Sequence, residues 1–307
     1  MPTSAEILAR RLRPKGDDPD AADRLAGIAI FTCAVALFAV VDTSAKWLIL
    51  AGVPTLTVVF IRYFGHLALI LAVTLPRDGV KSFRSVNPRL QFYRSMCLLG
   101  STLLNFTALS YLPLPVAISI MFAGPIFVTL MSMQLLGEPV TRARLGAVAL
   151  GFLGVLVVVQ PWGGQFHPAM LVSICAMLCA SMYFILTRRL ADESTVTHQI
   201  WSGGVATVVL LPILLLHWEW PKGALEWAVF VLIGPVALLA HTLVVQAHQR
   251  ARASVLAPVV YLQLIFVSIT GYLVFGDVPG LNVITGGGVI VAAGLWLRQI
   301  ERAASRR

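Results

Sequence analysis

The sequence is short of charge, and of acid above all: 12% of its 307 residues are Asp, Glu, Lys or Arg, and only 14 are acidic. A soluble globular chain is about a quarter charged and about half apolar. At 58% hydrophobic residues and a mean hydropathy of +0.85, this composition excludes an ordinary soluble domain and indicates a membrane protein. Runs of about ten residues that alternate apolar and polar, the mark of a membrane β-barrel, are missing, which leaves helices as the elements that satisfy their own backbone groups in lipid. No G-x-x-x-x-G-K-[ST] run is present, and no soluble stretch is long enough to hold a nucleotide, so ATP-driven pumping by this chain is not expected. H-E-x-x-H and G-x-S-x-G are also missing and the six His are scattered, which argues against an intramembrane enzyme. Cysteine is scarce. Cys33, Cys97, Cys175 and Cys179 all fall in apolar segments. Cys175 and Cys179 share a helix face without His or acidic neighbours, so they read as packing residues and no metal or other cofactor is expected.

What is present is apolar chain in ten blocks of about 18 to 25 residues, each long enough to cross a hydrocarbon core about 30 Å thick. They run over 27–49, 54–76, 90–111, 114–136, 143–160, 168–188, 198–217, 225–247, 254–276 and 280–298. The first exceeds the short h-region of a removable signal peptide and no A-x-A-like cleavage site stands out, so the N-terminus is expected to stay attached. The expected fold is therefore all-α and integral to the membrane, with ten transmembrane helices.

The net charge of +9 does not point to nucleic acid, because the basic residues alternate by loop. Nineteen of the 23 Lys and Arg fall in the N-terminal tail, after helices 2, 4, 6 and 8, and at the C-terminus. Among the connections after helices 1, 3, 5, 7 and 9 only Lys222 is basic, and Lys46, Arg62 and Arg94 lie inside spans. By the positive-inside rule both termini are cytoplasmic.

The chain also repeats itself. "IFVTLMSMQLLGEP" from Ile126 is answered by "IFVSITGYLVFGDVP" from Ile265. Aligning Ala108 with Ala247 pairs Val116 with Val255 and Gly137-Glu138 with Gly276-Asp277. One inserted residue then pairs Pro139 with Pro279, Gly146 with Gly286 and Gly154 with Gly294. More weakly, Cys33-Ala34 matches Cys175-Ala176 and Lys46 matches Arg188. A five-helix unit is written twice, with domains expected at 1–26 (cytoplasmic tail), 27–160, 161–300 and 301–307 (cytoplasmic tail). Five is odd, so the second copy enters from the opposite side, giving two inverted repeats around a central cavity, the plan by which many secondary transporters form two oppositely open states.

The segment Ala108 to Val159, with its helix end at "ALSYLPLP", Pro125 within the next helix, Gly137-Glu138 and the glycine-spaced helix that follows, resembles the hallmark region of EamA-type members of the drug/metabolite transporter superfamily. The resemblance extends from about Leu25 to Leu297. Where the first copy has Pro125 the second has Leu264, with Pro258 about two turns earlier, a departure from the pattern. The resemblance implies ten helices around a central cavity in the bacterial inner membrane. It also implies movement of small metabolites, commonly export of amino acids or other amphipathic compounds, as in YddG-like exporters. The alternatives are an uptake carrier for a larger vitamin-like or nucleoside-like compound, and a channel.

Ionisable groups within a membrane cost about 2.5 to 3.5 kcal/mol on insertion scales and face a bundle interior or a water-filled cavity. Asp42 lies about seven residues below the outer end of helix 1, Lys46 follows one turn later, and Arg62 sits at similar depth in helix 2. Asp42 is expected to pair with Lys46 or Arg62. Two readings stand: a structural ion pair, or a carboxylate that is protonated or meets a substrate amine. Arg94, near the cytoplasmic end of helix 3, is expected to snorkel to the headgroups. His66, Asn105, Tyr183, His241, Gln246, Tyr261 and Gln263 are the remaining polar or amphipathic groups at depth. Singly each suits an interhelical hydrogen bond. Together with Asp42 they outline a cavity with aromatic walls and a few polar anchors, fit for an amphipathic zwitterion, with Asn105 and Gln263 first among the neutral anchors. Pro125 is expected to kink helix 4, and Pro258 is its nearest counterpart. Glu138 and Asp277 are expected in turn or capping geometry or in gating. The expected partners are a small-molecule substrate and the lipid bilayer, with no nucleic acid, in a monomer or weak homo-oligomer. Protons are a candidate coupling ion through Asp42, His66 or His241, whereas uniport or exchange would need no titrating group.

Overall fold

A computed structural model describes residues 21–124, 126–128, 131, 142–160, 162, 166–190, 193–215, 219–250, 259 and 262–305. Their regular structure is ten α-helices: α1 (Ala21–Leu50), α2 (Thr55–Asp78), α3 (Pro88–Leu109), α4 (Leu114–Met121, helical again over 126–128), α5 (Arg142–Val159), α6 (Ala169–Arg189), α7 (Thr195–Leu214), α8 (Ala224–Arg250), α9 (Leu262–Phe275) and α10 (Leu281–Ser305). A short 3₁₀ segment, Gly79–Phe83, follows α2. Each helix falls on one of the ten apolar blocks. Pro125, Pro258, Glu138 and Tyr261 lie outside the described residues.

The helix starts follow from local chemistry. Asn87 caps α3 by accepting the Leu90 N–H at 3.1 Å, with Pro88 in the first turn, where its missing N–H is no loss. Ser194 caps α7 by accepting the Thr197 N–H at 3.0 Å. α9 stops at Gly276, whose φ of 71° is open to glycine at little cost. The chain then turns so that the Asp277 N–H reaches back to the Gly271 carbonyl at 3.1 Å.

Among the described residues, five helices are long and apolar enough to cross a membrane: Leu25–Leu50, Thr55–Arg77, Ala169–Thr187, Thr195–Leu214 and Ala224–Val244. The apolar stretches of α4, α5, α9 and α10 are shorter over the described residues. Large apolar side chains also cover the outside, Val208 and Leu273 being more than 70% exposed, as a bilayer-facing surface requires.

The packing between halves shows the repeat. α1 packs on α8 as α6 packs on α3, α1 on α9 as α6 on α4, and α2 on α8 as α7 on α3. The pairs α2–α7, α4–α9 and α5–α10 are their own counterparts under the same exchange. The C-terminal part of α1 (Lys46) meets the start of α4 (Leu114) at one end of the bundle. The last turn of α6 (Thr187) meets the start of α3 through Arg94. Since α3 leads by a short turn into α4, these two meetings lie at opposite ends, so the halves are inverted relative to one another.

The tightest seam is α5 against α10. A Cβ at Gly154 would come within 3.0 Å of the Gly286 carbonyl oxygen, and one at Gly286 within 2.8 Å of the Gly154 carbonyl oxygen. Backbones this close tolerate only glycine, the role of small residues between membrane helices.

Candidate functional site

Three polar clusters join the halves. The innermost gathers on α1, α2, α3, α8 and α9. Arg62 of α2 is buried and donates from Nη1 to Thr102 Oγ1 at 3.3 Å, while Nη2 lies 3.5 Å from His241 Nε2. Its guanidinium sits over the rings of Tyr63 and Phe106, 4.9 and 5.9 Å from their centroids, within cation–π range. The Tyr63 hydroxyl shares a hydrogen bond with Thr102 at 2.8 Å, which holds the ring in place. His241 meets Phe38 edge-on at 5.0 Å and His66 at 6.1 Å. On the other side Gln263 of α9 donates to Asp42 of α1 at 3.4 Å. Asn105, one turn beyond Thr102 on α3, is buried, and its Oδ1 has no hydrogen-bond partner among the described residues.

The second cluster lies at the end where α1 finishes. Lys46 Nζ pairs with Asp277 Oδ2 at 2.7 Å and lies 4.5 Å from the Phe275 ring centroid. The same carboxylate oxygen accepts the Leu114 N–H at 3.2 Å. Asp277 therefore ties α9 to α1 while capping the start of α4, where a helix end favours negative charge. Of the two partners considered for Asp42, Lys46 goes elsewhere: the chain turn at Gly276 delivers the Asp277 carboxylate to it at 2.7 Å.

The third cluster lies at the opposite end. Arg94 is 3% exposed. It donates to Thr187 Oγ1 at 2.7 Å, Ser202 Oγ at 3.0 Å, the Tyr183 hydroxyl at 3.0 Å and the His198 carbonyl at 3.4 Å, with its guanidinium 4.7 Å from the Tyr183 ring centroid. The expectation that Arg94 snorkels to the headgroups is corrected: hydroxyls on α6 and α7 solvate it inside the bundle. Beside it Glu193, in the α6–α7 connection, accepts from Ser85 Oγ at 2.5 Å, Gln91 Nε2 at 2.8 Å and the backbone N–H groups of Val86 and Asn87 at 3.0 and 3.3 Å. Desolvation pushes the Glu193 carboxyl upward, but the bonds from Ser85, Gln91 and Asn87, helped by the charge of His198, outweigh it and hold the group below its usual range.

Of the residues singled out in the sequence, the structure thus brings Asp42, Gln263, Arg62, His66 and His241 into one cluster with Asn105 beside it, and places Tyr183 with Arg94. Gln246 is exposed on α8. Thr102, Ser202 and Glu193 escaped the sequence reading. Thr102 carried one signal, its i, i+3 spacing to Asn105; Ser202 and Glu193 carried none. Among the described residues no group of three or more His, Cys, Asp or Glu is arranged to hold a metal ion.

The chain is similar over nearly its whole length to curated transporters. It is 28% identical to the riboflavin transporter of Vibrio cholerae serotype O1, over 88% of this chain and 92% of that one. It is 25% identical to the S-adenosylmethionine uptake transporter of Rickettsia felis, over 92% and 96%, and 28% identical to the pseudopaline exporter CntI of Pseudomonas aeruginosa, over 91% and 96%. A crystal structure of a protein 19% identical in sequence superposes with a TM-score of 0.63 over 92% of this chain and 99% of that one, a likeness of fold. The model of the EamA-like transporter family matches residues 25–160 and again 167–298. With one match to each half of the chain, this protein belongs to the EamA-like transporters of the drug/metabolite transporter superfamily, which are membrane transporters and not enzymes.

Proposed function

We propose that this chain is a ten-span secondary carrier of the bacterial inner membrane, both termini cytoplasmic, that moves a small amphipathic zwitterion by alternating access. One observation carries the cargo reading: Asp42 and Arg62, opposite in charge, stand in the bundle interior without forming an ion pair, among Phe38, Tyr63 and Phe106. Such an arrangement meets the two poles of a zwitterion and the apolar body between them. Amino acids, aromatic or otherwise apolar, are the first substrate class, and export is the direction first considered. The relatives named above include both uptake and export proteins, and the riboflavin transporter favours a second reading, uptake of a vitamin-like compound. In this reading the Lys46–Asp277 cluster closes the outer face and the Arg94–Glu193 cluster the cytoplasmic face. Asp42 or the histidines beside Arg62 are where proton coupling would reside.

Counterflow in proteoliposomes tests the proposal. Vesicles loaded with unlabelled aromatic and aliphatic amino acids, and separately with riboflavin, are followed for transient accumulation of the labelled compound. Accumulation with amino acids supports the first reading and with riboflavin alone the second. No accumulation with correctly inserted protein would count against both. Asp42→Asn is expected to lower counterflow of the accepted zwitterion at least about tenfold, the scale of one lost charged contact.

A further inference from the structure

Among the described residues three cations are buried in the bundle, Lys46, Arg62 and Arg94, and they are not equally provided for. Lys46 has a carboxylate at 2.7 Å. Arg94 has three hydroxyls at 3.0 Å or closer, with two further oxygens beyond them. Arg62, 7% exposed, has one hydroxyl at 3.3 Å and one imidazole nitrogen at 3.5 Å, the outer limit of a hydrogen bond. Its Nε bonds to nothing among the described residues. A guanidinium presents five N–H donors in a fixed fork that matches a carboxylate. Leaving those donors unmatched away from water is costly, and packing alone would be served by an uncharged side chain. Asp42 does not relieve the deficit, because its carboxylate is engaged by Gln263 and forms no ion pair with Arg62.

The unmatched polar atoms of the Arg62 cluster sort by chemistry. On the donor side stand Arg62 Nε and the weakly engaged Nη2, and His66 Nε2, donor or acceptor by tautomer, is likewise buried without a partner among the described residues. On the acceptor side stand Asn105 Oδ1, 8% exposed and without a partner, and the Asp42 carboxylate with its single 3.4 Å bond. We propose that Arg62 is the docking point for a carboxylate of the transported molecule, whose ammonium group turns toward Asp42 and Asn105. This rests on the carrier reading above and names the acid group that reading leaves open. With Asp42 ionised, it and Arg62 together are neutral, which favours a single carboxylate over a phosphate. A zwitterion keeps the loaded site neutral, whereas a dianion would leave net negative charge in a low-dielectric interior.

The test compares acid and amide. Competition against the accumulating labelled amino acid is measured in wild-type proteoliposomes with L-phenylalanine, L-phenylalaninamide, which lacks the carboxylate, and 3-phenylpropionate, which lacks the amine. The amide is expected to compete at least about tenfold less well than phenylalanine, one charge-assisted bond's worth. In Arg62→Gln that difference should collapse, with phenylalanine weakened and the amide unchanged. Arg62→Lys, which keeps the charge but not the fork, should fall between. Equal competition by acid and amide in the wild type overturns the inference while leaving the carrier intact, and so does equal loss of both in Arg62→Gln. Counterflow by riboflavin with none by any amino acid overturns the carboxylate anchor alone. No counterflow by any compound removes the carrier reading and the inference with it. Should Arg62→Gln fail to insert, the wild-type ratio of acid to amide decides.

Discussion

Arg94 and Arg62 are each an arginine within an apolar helix, one near its end and one at depth, and the structure surrounds the first with hydroxyls and the second with few acceptors. Arg94 is held by hydroxyls of Tyr183, Thr187 and Ser202 from α6 and α7, so its charge is solvated by neighbours that lie far away in the chain. Hydrogen bonds to a charged group contribute about 1.5 to 3 kcal/mol each, and a buried charged group left without them costs more. Arg94→Ala is expected to destabilise the protein by on the order of 3 kcal/mol, read as a lowered melting temperature in detergent. Arg94→Lys should recover only part of it, because an ammonium cannot span three hydroxyls on two helices as a planar fork does. A melting temperature unchanged in Arg94→Ala would show that the cluster carries no stability. That Asp42, Arg62 and Asn105 stand out as polar groups at depth was legible in the sequence, since such groups in a 58% hydrophobic chain are few enough to be weighed one by one. Which hydroxyls meet the two arginines, Thr102 at Arg62 and Ser202 at Arg94, was not, because such residues are as common in packed membrane helices as in sites.

At the scale of elements, hydropathy marks the ten helices closely because a helix crossing lipid must be apolar over its length. α6 occupies Ala169–Arg189 against an expected 168–188, and α5 occupies Arg142–Val159 against 143–160. Pairing between helices is a different matter. The repeat implies that contacts come in exchanged pairs, but nothing in composition says that α5 meets α10 or that α2 meets α7. The glycines hint at it after the fact: Gly154 and Gly286 face each other where the α5 and α10 backbones nearly touch. Overpacking such a seam costs about 1 to 3 kcal/mol. Gly154→Val is therefore expected to lower the melting temperature and the yield of monodisperse protein. Gly288→Val, where an added Cβ meets nothing within 4 Å, serves as the control that should leave both unchanged. Equal behaviour of the two would mean that the seam does not limit stability.

For the whole molecule, the two end clusters share a design that neither shows alone. At each end a carboxylate from the second half caps or anchors the start of a helix in the first: Asp277 takes the Leu114 N–H of α4, and Glu193 takes the N–H groups of Val86 and Asn87 at the start of α3. An alternating-access carrier must part its halves at one end while holding them at the other, so each clamp should be weak enough to release and strong enough to choose. The Lys46–Asp277 pair allows this to be measured, because its two charges can be exchanged. Lys46→Asp and Asp277→Lys singly place like charges at the α1–α9 contact and are expected to slow counterflow several-fold. The double exchange should restore part of the rate, with a coupling of about 1 to 3 kcal/mol between the two positions. Recovery should stay incomplete, because a lysine at 277 restores the ion pair but cannot accept the Leu114 N–H. Additive single and double effects would show that the pair does not act as a clamp, and the closure of that end would then have to be sought in the packing of α4 against α9 alone.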